Sequence, residues 1–347
     1  MTTCIRHEME EREAQFLSPH ASLSRNSRGR LREEPECDIR MAYQRDRDRI
    51  IHSKTFRRLK HKTQVFLAPT GDHYRTRLTH VLEVAQIART VSAALRLNEN
   101  LAEAIALAHD LGHTPFGHAG ESVLNELHPG GFKHYLQSLR VVDVLEKKGR
   151  GLNLTQEVRE GIVKHSKGRK AILPDDLHQV PSTLEGQLVR LSDIIAYVNH
   201  DLDDAIRAEI LDDTSIPTDI TNCLGRRHSE RIGTMVRDLI INTAKTNGER
   251  LAMSRPVLTA ITDLRAFLYE KVYEANRVHN DFIKAQKILR ELYYHFLEHD
   301  DFFNPGDDPD NDTPRHRRVC DFVAGMTDHY ALDLYTNIFL PKPWSVK

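Results

Sequence analysis

Cysteine is scarce in this 347-residue chain: Cys4, Cys37, Cys223 and Cys320, no two of them close together. Such spacing supports neither a disulfide framework nor a zinc knuckle. A reducing, cytoplasmic setting is expected. Long apolar runs are missing too; none approaches the roughly 18 residues needed to span a bilayer. The start, Met1-Thr2-Thr3-Cys4-Ile5-Arg6, leads into acidic residues rather than the apolar stretch of a signal peptide. Excess charge of one sign is absent: the formal net charge is -1, so the whole chain carries no polyanion-binding field. No GxxxxGKS/T segment occurs, which excludes P-loop chemistry. No sustained alternating strand pattern and no internal repeat are found.

What is present is a globular balance, with 39% hydrophobic and 29% charged residues. The length suits one large domain or two ordinary ones. Residues 1–39 are polar and rich in Ser, Arg and Glu, and read as a mobile polar arm. Helical patterning starts near Arg40. Leu78, Val81, Leu82, Ala85, Ala88, Val91 and Leu95 step by three and four, as one helix face requires. Leu101, Ile105, Ala108 and Leu111 form a shorter stripe. Leu184, Leu188, Leu191, Ile195, Val198 and Leu202 form the cleanest. A long helical stretch, interrupted in its middle, is expected over Val257–Leu297. An acidic, turn-rich loop, Asn304–Asp312, separates it from helical Arg315–Leu340. The expected fold class is all-α.

The chemistry concentrates in His109-Asp110-Leu111-Gly112-His113-Thr114-Pro115-Phe116-Gly117-His118. A His-Asp pair alone is a weak signal, since surface and capping pairs are common. Here it closes an apolar helical stripe. Gly112 permits a tight turn, Pro115 and Gly117 keep the segment out of a helix interior, and His113 and His118 fall in the same loop. His80 shares a helix face with Arg77. Asp193, Tyr197 and Asp201 line one face of the clean helix, opposite its Leu/Ile stripe. Periodicity does not separate a solvated polar stripe from a ligand-bearing one. Two imidazoles with two carboxylates would suit Mn, Fe, Ni or Zn, and Mg less well. His118 and Glu121, three apart, can pair so that the carboxylate fixes one imidazole tautomer for acid–base work.

From Arg25 to Lys62 there are thirteen Lys and Arg against six Asp and Glu. An exposed helix of alternating charge accounts for this as well as a triphosphate- or effector-binding surface does. A nucleic-acid surface is the weaker reading, because few aromatics are interleaved for base stacking.

Taken together, Arg45–Leu59, Lys62-Thr63-Gln64-Val65-Phe66, Arg75-Thr76-Arg77-Leu78-Thr79-His80 and His109–Glu121 resemble the deoxyguanosinetriphosphate triphosphohydrolase-like family of the HD-domain superfamily. The likeness continues through Gly131–His134, Gln137–Arg140, Lys164–Lys167, Asp193–Asp204 and Ala324–Asp328, covering most of the chain from Arg40 to Leu340. The resemblance implies an all-α HD-domain core over 40–210. A C-terminal helical region, 211–347, would pack on it or on a partner subunit. It implies metal-dependent hydrolysis of a dNTP to deoxynucleoside and inorganic tripolyphosphate. It implies one divalent ion, Mn2+ or Mg2+ foremost, with Fe, Ni or Zn as alternatives, held by His80, His109, Asp110 and Asp193.

By the same resemblance His118 is the catalytic imidazole, supported by Glu121, with His113 and His134 approaching the phosphates. Arg77 and Arg58 bind substrate. Tyr197 and Asp201 sense the sugar, and Gln64 contacts sugar or base. Tyr135 stands where similar proteins often carry Asn. A homo-oligomer with a dNTP effector between subunits is implied, with no membrane association. Two rivals share the ligand set: another HD-type nucleotidase or phosphodiesterase, and a nucleotide-sensing protein without activity.

Overall fold

A computed structural model describes residues 4–64, 75–166, 171–174, 176–299 and 313–341. The expected Asn304–Asp312 loop lies outside the described residues, as do Val65, Phe66 and Lys167. In chain order the helices are α1 (Ile5–Phe16), α2 (Ala42–Ile51), α3 (Lys54–Arg58), α4 (Arg77–Leu95), α5 (Glu99–Ala108), α6 (His118–Leu127), α7 (His134–Arg140) and α8 (Glu146–Gly149). They continue as α9 (Gln156–Lys164), α10 (Leu184–Arg207), α11 (Thr218–Leu224), α12 (His228–Ala244), α13 (Arg255–Leu268), α14 (Asn276–Glu298), α15 (Arg315–Gly325) and α16 (Asp328–Phe339). The described residues form no sheet, only the isolated bridges Arg30–Thr155 and Thr63–Thr76. No helix among them is long and apolar enough to cross a membrane.

Helices α4, α5 and α10 pack on one another at the centre. Their stripes supply Val84, Val91, Leu101, Ile105, Leu188, Ile195 and Leu202, all buried. Each such side chain contributes about 1.5–3 kcal/mol by leaving water. The starts of α5 and α10 are capped by side chains: Asn98 accepts from the Asn100 and Leu101 amides, and Thr183 accepts from the Gly186 amide. Helix α10 is buried nearly all round. Its polar face, including Ser192, Asn199, His200 and Asp201, is therefore interior rather than solvated.

The N-terminal segment, expected to be a mobile arm, is laid against this core. Helix α1 and the strand-like chain after it are tied down by polar contacts, which is why composition disguises them. Glu13 accepts from the Ser24 amide at 2.6 Å and from Asn98 Nδ2 at 2.8 Å. Ser22 N donates to Glu185 at 3.0 Å, and Arg30 pairs with fully buried Asp46. Much of the basic segment is consumed the same way. Arg28 pairs with Glu157, Arg45 and Arg49 with Glu34, Arg40 with Asp48, and Arg47 with Glu103.

The apolar core does not divide at residue 210. Ile220, Leu239, Ile261 and Leu268 join the same cluster as α4, α5 and α10. A second cluster joins Phe116, Val123, Leu124 and Phe132 to Leu289, Phe296, Val319 and Val323 of α14 and α15. The interruption expected within Val257–Leu297 is a π-helical turn, Tyr269–Tyr273, between α13 and α14. The C-terminal helices also brace the loop before α6. Asp328 accepts from Phe116 N at 3.0 Å and from Thr63 N at 2.9 Å. Lys62 Nζ donates to the carbonyls of His113 and Ala324. Its complete burial pushes its ammonium down to about 7.

Candidate active site

Helix α5 ends at Ala108, so the backbone turns at His109 and Asp110 and both side chains face one point. Gly112 matters for close approach rather than for the turn. A Cβ there would stand 2.0 Å from Ser138 N on α7. The unusual backbone comes later, at Phe116 (φ 58°) and Gly117 (φ 57°), just ahead of α6.

His109 Nδ1 donates to Ala106 O at 2.7 Å, which leaves its buried Nε2 as an acceptor with no partner among the described residues. That nitrogen lies 3.7 Å from Asp110 Oδ1. His80, on the first turn of α4, brings Nε2 to 3.9 Å from Asp110 Oδ2 and 3.3 Å from Asp193 Oδ1 on α10. Burial lowers the His80 pKa and so favours the neutral imidazole a cation needs. Burial opposes ionisation of Asp110, but His109 and Arg77 overcome it and hold the carboxyl well below its ordinary range. Three of the four expected ligands, His80, His109 and Asp110, thus have their ligand atoms within 4.8 Å of one another, and Asp193 reaches the group through His80. An orphaned imidazole nitrogen facing carboxylates is a donor set that fits a divalent cation.

Beside it lies a second group. His134 Nδ1 donates to Glu121 at 3.0 Å, and its Nε2 lies 3.2 Å from His165 Nε2. His165 Nδ1 donates to Ile162 O at 2.7 Å. Burial, with His109 and His134 nearby, pushes His165 down to about 3, so its Nε2 is an acceptor. Both ring nitrogens of His134 thus face acceptors, an arrangement that favours the charged ring. Burial alone would lower its pKa; the Glu121 carboxylate reverses this and raises it. Glu121 ionises readily despite burial, because the surrounding histidines hold it far below its usual range. His113 stacks on His134 with centroids 4.8 Å apart, and burial together with Arg77 lowers its pKa. Tyr135 meets His134 edge-on.

The expected His118–Glu121 pair is looser. His118 Nδ1 stands 3.9 Å from Glu121 Oε2, with the imidazole 72% exposed. Glu121 turns instead to His134, whose backbone N–H and ring N–H both point at it. Arg77 donates to Asp110 Oδ2 at 2.6 Å, and its buried Nε has no partner among the described residues.

One cavity joins these groups. Gln64, Arg77, His80, Asp110, His113, His118 and His134 line it, as do Asp193, Tyr197 and Asp201. Arg58 does not. Its guanidinium reaches the Gly325 carbonyl at 3.3 Å, because α3 points toward α15. His165, Tyr269 and Tyr273 also line the cavity, and the sequence reading assigned them no role. The interrupted helix between Val257 and Leu297 was the available signal for the tyrosines. Tyr273 O–H donates to Asp201 Oδ2 across 72 residues of sequence. Burial raises the pKa of Tyr197 and Tyr273, so both remain phenols.

This geometry coincides with a known module. Residues 77–198 match the HD domain, and 251–337 match the phosphohydrolase-associated domain. The protein is thus an HD-domain phosphohydrolase, a class that binds divalent metals, and its His/Asp cluster is the group that fits one. Its relatives narrow this. A deoxyguanosinetriphosphate triphosphohydrolase-like protein of Desulfatibacillum aliphaticivorans is 53% identical over 98% of this chain and 99% of its own. One of Caldanaerobacter subterraneus subsp. tengcongensis is 55% identical over 98% and 97%, and one of Clostridium tetani 45% over 97% and 97%. The chain belongs to the deoxyguanosinetriphosphate triphosphohydrolase-like family. Among solved structures, a hypothetical protein from Aquifex aeolicus aligns with a TM-score of 0.49 at 20% identity, over 86% of this chain and 68% of that one.

Proposed function

We propose that this protein hydrolyses deoxynucleoside triphosphates at the α-phosphorus, releasing a deoxynucleoside and inorganic tripolyphosphate. Water bonds to the α-phosphorus, the bond from phosphorus to the 5′ oxygen breaks, and a proton reaches that oxygen. One observation carries the reading. A single cavity is lined by both the basic and ligand-bearing groups and by Tyr197, Asp201, Tyr269 and Tyr273. The first set suits a triphosphate, the second a nucleoside whose hydroxyls need a carboxylate and whose apolar faces need rings.

His80, His109, Asp110 and Asp193 would hold the divalent cation, with Mn2+ or Mg2+ as the working ions and Fe, Ni or Zn as alternatives. Lewis-acid polarisation of a phosphoryl oxygen is the chemistry such an ion would supply when bound. Arg77 and the His134 imidazolium place fixed positive charge beside the phosphates, where negative charge grows. Neutral His113 adds a hydrogen-bonding ring against His134. His118, exposed at the mouth, carries the proton exchanged with the reacting oxygens. Asp201 accepts from a sugar hydroxyl, Tyr197 limits the room around it, and Gln64, whose buried Oε1 has no partner among the described residues, meets sugar or base.

The test is incubation with each dNTP, alone and mixed, with Mn2+ or Mg2+, and separation of products by anion exchange. Deoxynucleoside plus tripolyphosphate is expected. Pyrophosphate or orthophosphate would place the protein among other HD hydrolases, and tight binding with no product would make it a nucleotide sensor. His118→Ala should keep cation and dNTP binding and lose about 10²–10⁴-fold in turnover. Turnover like that of the unaltered protein would remove His118 from the chemistry.

A further inference from the structure

Behind the His/Asp cluster, on the side away from the cavity, stands His200. It is fully buried and, although it falls within Asp193–Asp204, it is given no role in the site by the sequence alone. Helix α10 supplies it two turns beyond Asp193, so the face that offers a carboxylate to the cation also reaches behind His80. His200 Nε2 lies 3.0 Å from His80 Nδ1. His200 Nδ1 lies 2.7 Å from Asp201 Oδ1, and neither of those two atoms has an aligned hydrogen-bond partner among the described residues. The other Asp201 oxygen is held by Tyr273 O–H.

We propose that His200 is a positioning residue for the cation site and that Asp201, besides lining the cavity, anchors it. The proton arrangement follows from the geometry. His80 must present an unprotonated Nε2 to the cation, so its Nδ1 carries the hydrogen and donates to His200 Nε2. His200 then carries its own hydrogen on Nδ1, facing the Asp201 carboxylate. Tyr273 fixes that carboxylate from behind. Metal-ligating histidines are oriented and made more basic by such outer carboxylates. Here the carboxylate acts through an intervening imidazole. Asp201 therefore belongs to two environments at once. The inference rests on His80 as a cation ligand and is independent of which nucleotide is cleaved.

The experiment uses no nucleotide. The full chain is stripped of metal and titrated with Mn2+ by calorimetry, and the His80 tautomer is read from 15N–1H correlations of the imidazoles. His200→Asn should weaken Mn2+ binding by about 10–100-fold, the range for lost outer-shell partners. Asp201→Asn should weaken it in the same direction, because an amide NH2 turned toward His200 Nδ1 breaks the donor order. Tyr273→Phe keeps the packing and should produce a smaller loss, with the population of Nδ1-protonated His80 falling in step. Folded Asp201→Asn and Tyr273→Phe proteins with unaltered Mn2+ affinity and tautomer would overturn the proposal, even if His200→Asn fails to fold. Loss of thermal stability with unchanged Mn2+ affinity would equally overturn it, since it reduces His200 to a packing residue.

Discussion

Among single residues, Glu121 and His134 show how a buried pair acquires a function. A carboxylate and an imidazole, each disfavoured as an ion by burial, hold one another charged. The raised pKa of His134 keeps it protonated to higher pH than an ordinary histidine, and deprotonation follows as pH rises through that value. Glu121→Gln removes the carboxylate, so burial dominates and His134 loses its proton at lower pH. The basic limb of the kcat/KM profile should then move to lower pH, with Mn2+ affinity retained. An unmoved limb would mean that the His134 charge is not used. The pair illustrates a limit of sequence reading. Glu121 was legible as a partner for an imidazole, because it sits one turn after His118. Its actual partner lies thirteen residues on, brought near by a loop that local spacing does not describe. His200 was less legible still. It falls on a helix face that Asp193, Tyr197 and Asp201 had already marked, but its meaning depends on His80, 120 residues away.

Among elements, the helices that carry the site were plain in their apolar stripes. Helix α10 is the clearest case. Yet its polar face reads equally as solvated, and only packing by the surrounding helices, α4, α5, α9, α12 and α13, makes it interior. The break after α13 was visible as an interruption but not as a π-helical turn that aims Tyr269 and Tyr273 inward; such turns frequently sit at functional sites. The N-terminal segment misleads composition for the opposite reason. Its charges are paired with the core, and pairing leaves no mark in a list of residues. The α15–α16 junction gives the sharpest consequence. Asp328 satisfies three donors on two loops, including the Phe116 amide where φ is positive. Asp328→Ala leaves these buried donors unpaired and should cost on the order of 3 kcal/mol, read from urea unfolding. Turnover should fall with it at temperatures where the variant is fully folded, because the 113–117 loop loses its brace. Full turnover in the folded variant would show that the loop holds its shape unaided.

On the scale of the whole molecule, one helical core brings His80, His109 and Asp110 together, with Asp193 beside His80, and these are the four residues proposed to hold the cation. A second core, shared with the C-terminal helices, holds the loop that carries the histidines. The two family matches each contribute to both cores: residues 77–198 include Phe116 and Val123 of the second, and residues 251–337 include Ile261 and Leu268 of the first. The division explains why the His109–His118 segment does not suffice alone. In the proposed site His80 and Asp193 complete the cation ligands, Glu121 favours the charged form of neighbouring His134, and Asp328 and Lys62 brace the turn before α6. The central claim concerns which bond breaks, and isotope labelling addresses it directly. With a dNTP and Mn2+ in H2 18O under single-turnover conditions, mass spectrometry of the products is predicted to find one 18O in tripolyphosphate and none in the deoxynucleoside. Label in the deoxynucleoside, or in orthophosphate or pyrophosphate released in place of tripolyphosphate, would contradict attack at the α-phosphorus.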